Sequence, residues 1–238
     1  MNETRRAPVV DLSFPHHWQA EILPGRPLIL PKRHFVYPSQ AEEVERGALE
    51  VLVRPSSSGD PARQVDVLKG HGFSRADIAP KSDGASAPEG SVSVHTAERS
   101  PSAQEFLATS ALGFRDPAVP TGIWSCPNPD EICAISGGYA YVIDAADPSR
   151  FAMIPFRPVL QVLAVPAEAL LLFVSHHAIL AWGSNGQAWQ SEKLSDEGVA
   201  ITSIEKGQLH GQGWTMITDE EIPFTLDLKT GLKVNLRG

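Results

Sequence analysis

Residues 175–191 read SHHAILAWGSNGQAWQS, and the reading of this stretch decides the fold. Two adjacent histidines, two tryptophans and an Asn-Gly pair fall within one short span. They mark either the corner of an active site or a β-hairpin. Asn-Gly between runs rich in Ile, Leu, Ala and Trp is the strongest short-range hairpin signal. With Asn185-Gly186 as a two-residue loop, Ser184 faces Gln187 and Trp182 faces Trp189. A direct cross-strand aromatic pair is worth up to about 1 kcal/mol, so both tryptophans have a structural task. The other use of Trp182 and Trp189 is an exposed aromatic platform for a partner or a sugar. His176 and His177 are neighbours in an extended segment, where side chains alternate between faces. They cannot jointly hold one metal ion.

The hairpin has counterparts. A strand, a tight turn and another strand recur in AYVIDAADPSRFAMI (140–154), AILAWGSNGQAWQSE (178–192) and PFTLDLKTGLKVNL (223–236). Two further strand-like runs precede each, giving units at 119–155, 157–192 and 198–237. The turn centres lie about forty residues apart, the period of four-stranded propeller blades. With Ala178 or Ala181, Gly186 and Trp189 in the second unit and LDLKTG (226–231) in the third, the chain resembles β-propeller repeat proteins of the quinoprotein-like type. It departs from that pattern in two ways: Trp189 follows its glycine closely, and the other units lack the tryptophan. The resemblance implies an all-β, small or irregular propeller-like array of four-stranded units and carries over no quinone- or metal-binding residue. A β-sandwich or irregular barrel with recurring hairpins is the alternative.

Upstream of residue 104 the composition changes. Residues 1–55 read as an N-terminal β segment joining the main β domain of 104–238. Between them, residues 56–103 contain SSSGDPAR and APKSDGASAPEGS, with Phe73 as the sole aromatic residue. Such a segment buries too little apolar surface to offset the entropy of ordering and reads as a disordered insertion. Its piece VDVLKGHGFSRADI (65–78) carries enough apolar residues to fold on a partner. ALEVLVRP (48–55) and EFLATSALGF (105–114) read as strands that can pair across the insertion. One short helix is expected near 39–47, where Ser39 and Glu42 form a capping box and Gly47 ends the turn.

A net charge of −8 over 238 residues argues against sequence-independent binding to nucleic acid, which needs a basic surface. The longest apolar runs, 169–174 and 158–166, are too short to span a bilayer as a helix. No apolar stretch of signal-peptide length follows Arg5-Arg6, so the expected location is the cytoplasm. Cys126 and Cys133 flank a turn and have no metal-ligand spacing, and in a reducing compartment they are expected as buried thiols.

Catalytic templates fail along the whole chain. Nucleophile elbow, phosphate-cradling loop and His-Glu-x-x-His are all absent. His176, His177 and His210 are the catalytic candidates, His210 because the glycines of QLHGQGW leave room for close approach. The binding candidates are Trp124, Tyr139, Tyr141, Trp182, Trp189 and Trp214. Acidic groups at 130–131, 196–197 and 219–221 read as solvated turns, two of which could converge at one end of the fold. The expectation is a non-catalytic scaffold for a protein partner or ligand, without metal or cofactor. The alternative is a hydrolase with a His/carboxylate or metal site in a central pocket.

Overall fold

Leu170–Val174, LLLFV, is buried at every position, and this continuous apolar run requires a sheet covered on both faces. Side chains in a strand alternate, so Leu171 and Phe173 enter one apolar cluster while Leu170, Leu172 and Val174 enter another. The same division recurs one sheet away. Cys133, Ile135, Ala140 and Val142 share the cluster of Leu171 and Phe173, whereas Ile132, Ala134, Tyr141 and Ile143 face a third. Three apolar layers therefore separate four sheets, stacked face to face.

The computed structural model describes residues 7–39, 48–56, 105–111, 113–114 and 116–234. The helix expected near 39–47 and the insertion expected over 56–103 fall almost wholly outside them. The described residues are all-β, with sixteen strands and one 3-10 turn at Pro166–Glu168.

The stack begins with β2 (Trp18–Ile22), β3 (His34–Tyr37), β4 (Leu49–Pro55) and β5 (Phe106–Ser110), in the order β2-β4-β5-β3. β4 and β5 pair antiparallel from Leu49↔Ser110 to Val53↔Phe106. Next come β6 (Gly122–Ser125), β7 (Glu131–Ser136), β8 (Tyr139–Asp144) and β9 (Phe151–Met153), antiparallel in sequence order. This sheet has a fifth strand, β1 (Val9–Asp11), which joins β6 in parallel. Gly122 makes that approach possible, because a Cβ there would lie 2.0 Å from the Val9 carbonyl oxygen. The third sheet runs β10 (Gln161–Val165), β11 (Leu170–Val174), β12 (Ile179–Gly183) and β13 (Gly186–Gln190). The last comprises β14 (Val199–Glu205), β15 (Gln208–Thr215) and β16 (Glu220–Asp227). Residues 232–234 return along β16, with Asp227 donating from its backbone N–H to Leu232 and Val234 to Thr225. Among the described residues, none of the four sheets closes on itself.

The 175–191 hairpin differs from expectation in register. Its two-residue loop is Ser184-Asn185, with Gly183 opposite Gly186. Trp182 faces Gln187, and after a bulge Trp189 faces Ala181. The tryptophans are therefore not a cross-strand pair. Trp182 enters the cluster between the second and third sheets, and Trp189 the cluster between the third and fourth. In a sheet buried on both sides, each large ring fills its own layer. Acceptors reinforce the separation: Trp182 Nε1 donates to Glu131 Oε2 at 2.9 Å and Trp189 Nε1 to the Leu228 carbonyl at 2.7 Å.

Candidate ligand-binding face

The last sheet presents one face to the stack and one outward. On β15, Leu209 packs inward, and by alternation Gln208, His210, Gln212 and Trp214 point outward. Their cross-strand neighbours on β16 are Asp227, Thr225, Pro223 and Glu221. On β14, Ala200 lies opposite Gln212 and Ser203 opposite His210. A polar face of this kind is how a stacked array ends against solvent.

At one end of this face lies an open depression of about 260 Å³ lined by Glu197, Gly198, Val199, Ala200, Gln212, Trp214 and Glu221. Trp214 forms its aromatic wall and is held from three sides. Its backbone N–H donates to Ser195 Oγ at 2.9 Å, the Ser195 hydroxyl donates back to the Trp214 carbonyl at 3.0 Å, and the indole N–H donates to Asp219 Oδ1 at 3.0 Å. Asp196 braces the same corner by accepting from the Met216 backbone N–H at 2.7 Å and from Lys193 Nζ at 2.6 Å. These two interactions, the Lys193 bond first, hold its carboxyl below the usual aspartate range. Asp196, Glu197, Asp219 and Glu221 thus lie about one tryptophan.

Glu197 and Glu221 are exposed, and their carboxylates have no hydrogen-bond or ion-pair partner among the described residues. No cation lines the depression. An aromatic face beside two uncompensated carboxylates suits a cationic group, through cation–π attraction and charge-assisted hydrogen bonds. In the turn that follows Trp214, Met216 and Ile217 are 70% and 92% exposed, so an apolar tip lies next in the chain to the charged depression.

Of the other binding candidates, Trp124, Tyr141, Trp182 and Trp189 are buried in the apolar layers. Tyr139 is half-buried, with the Arg157 guanidinium 5.6 Å from its ring centroid and Phe114 edge-on at 5.9 Å. Trp214 is therefore the one that lines the depression. His176 and His177 have ring centroids 6.1 Å apart. His177 Nδ1 lies 3.2 Å from the Ser195 carbonyl, which ties it to the segment fastening Trp214. His210 shares the outward face, its Nδ1 3.0 Å from Thr225 Oγ1. Among the described residues no group of three or more His, Cys, Asp or Glu side chains is placed to hold a metal ion.

Two polar clusters have no local sequence signal. Glu131 accepts from Trp182, and burial raises its carboxyl above the usual glutamate range. On the first sheet, buried Thr109 donates to buried Glu50 at 2.6 Å and lies 2.8 Å from His34 Nε2. Both arise from cross-strand or cross-sheet register, which no spacing along the chain encodes. Cys126 and Cys133 are free and buried, and burial pushes both thiols well above their usual range. Comparison with protein-family models, with curated proteins and with solved structures returns no match to this chain.

Proposed function

We propose that this chain is a non-catalytic binding scaffold, a propeller-like array whose last sheet presents its ligand face. The observation that carries this reading is the depression around Trp214, with Glu197 and Glu221 unpaired and Met216 and Ile217 exposed in the turn that follows Trp214. The ligand it suits is a polypeptide segment bearing a lysine or arginine next to apolar residues. The cation enters between the carboxylates and against the indole, and the apolar side chains cover the hairpin tip. The propeller-like reading is supported by four sheets stacked in succession, with β6–β9, β10–β13 and β14–β16 antiparallel in sequence order. Among the described residues, no helix is long and apolar enough to cross a membrane. The free thiols support a cytoplasmic setting, where cysteines stay reduced.

Fluorescence polarisation with labelled peptides of matched apolar content and opposite charge tests the reading. The cationic peptide should bind and weaken with added salt. Trp214→Ala should weaken it by about tenfold or more, and Glu221→Lys by a similar factor. Equal binding of the acidic peptide, or binding indifferent to both substitutions, would refute the proposal.

A further inference from the structure

The first sheet carries a feature opposite in chemistry to the face on the last. Between β2 and β3 the chain reads GRPLILPKR (25–33). Leu28 and Ile29 are 104% and 88% exposed, far beyond what a lone surface apolar residue needs to explain it. Pro27 and Pro31 bracket them and restrict the loop, which lowers the entropy lost on docking. Every charged residue from 22 to 33 is basic, and Lys32 is exposed. This loop has the composition that the Trp214 depression and the apolar tip after it would accept.

Loop and face belong to the first and the last sheet of the stack. The apolar layers join the first sheet to the second, the second to the third and the third to the fourth. Among the described residues no layer joins the first sheet to the last. We infer that the partner at the Trp214 face is a second copy of this chain, whose 25–33 loop docks there with Lys32 between Glu197 and Glu221 and Leu28-Ile29 against Met216 and Ile217. The inference rests on the binding-face reading above and names its occupant. The contact is head-to-tail, so each added copy leaves one loop and one face open, and association continues until a ring closes or a filament grows. An anionic membrane is the competing occupant for a basic-apolar loop. Complementary charge on the same chain and a net charge of −8 favour the second copy.

Sedimentation velocity of the full chain over rising concentration tests this. The wild type should form a series of oligomers that dissociates as salt rises. A loop-blocked variant, Leu28→Glu with Ile29→Glu, and a face-blocked variant, Trp214→Ala with Glu221→Lys, should each associate about tenfold or more weakly. All four sites are exposed or half-buried, and circular dichroism confirms that the variants fold. Mixing the two variants leaves one intact loop and one intact face, and should yield a single 1:1 species that grows no further. A wild type that stays monomeric at several hundred micromolar, or variants that ignore each other on mixing, would overturn the inference. A labelled GRPLILPKR peptide separates the two claims. If it binds in a Trp214-dependent way to a monomeric chain, the face stands and self-association fails; if it does not bind while another cationic-apolar peptide does, the second-copy occupant fails and the face stands. Monomers that co-sediment, through Leu28 and Ile29, with vesicles of phosphatidylcholine and phosphatidylserine would also overturn the second-copy assignment.

Discussion

Tyr37 and Tyr141 lie in one apolar layer with ring centroids 6.2 Å apart, yet their hydroxyls have different fates. Tyr37 donates to the Pro148 carbonyl at 2.8 Å. The Tyr141 hydroxyl is buried with no partner among the described residues, and burial pushes its ionisation up to about 12. Removing a buried hydrogen bond costs about 1 kcal/mol or somewhat more, whereas removing an unsatisfied hydroxyl is neutral or stabilising. Urea denaturation should therefore show Tyr37→Phe destabilised by about 1–2 kcal/mol and Tyr141→Phe at or above wild-type stability. The reverse order would mean that the Tyr141 hydroxyl has a partner. Glu131 makes a second residue-scale test. Burial raises its pKa foremost, Trp182 opposes that by hydrogen bonding the carboxylate, and Asp144 and Asp130 add to the rise. A folded pKa above the unfolded one gives stability that is complete below the unfolded value and lost as pH climbs through the folded value. Glu131→Gln keeps an acceptor for Trp182 without that loss. Its stability relative to wild type should rise as pH climbs above the usual glutamate range; a flat or falling difference would contradict the assigned cause.

Strands and turns form the scale at which the sequence was most legible. Runs of apolar residues between turn residues, recurring about every forty positions, locate the stretches that become β6 to β16, and the expected pairing across 56–103 is present between residues 49–53 and 106–110. Register was not legible. The hairpin of 175–191 turns on Ser184-Asn185, one residue earlier than the Asn-Gly pair suggests, and the bulge before Trp189 sends the two indoles to opposite layers. Asn-Gly is a local signal, whereas the position of Trp189 is set by a distant acceptor at Leu228 and by Gly231. That glycine has φ +69°, and a Cβ there would lie 2.5 Å from the Trp189 ring. Gly231→Ala thus combines left-handed backbone strain with overpacking, at a combined cost of about 2–4 kcal/mol. Chemical denaturation measures this directly. A loss below about 0.5 kcal/mol, the size of an ordinary surface substitution, would show that Trp189 is not seated beneath the 227–231 turn.

The whole molecule is a stack whose ends differ, and its function is read at those ends. Sequence identified the acidic turns 196–197 and 219–221 and Trp214 separately. Their meeting depends on the Ser195 and Asp196 contacts that fold the start of β14 onto the end of β15. The outward face follows from alternation along QLHGQGWT once β15 is placed, but nothing local says which side the rest of the stack covers. The histidines caught the eye in sequence, yet His176 and His177 sit in a connecting loop while Trp214 bears the depression. Hydrogen exchange with mass spectrometry, on the full chain with and without a saturating cationic-apolar peptide, tests the central claim most directly. Slowed exchange should concentrate in residues 194–200 and 212–222, and disappear when the same peptide is added to Trp214→Ala. Protection centred on any other sheet, or protection that survives Trp214→Ala, would contradict a ligand face at the end of the stack.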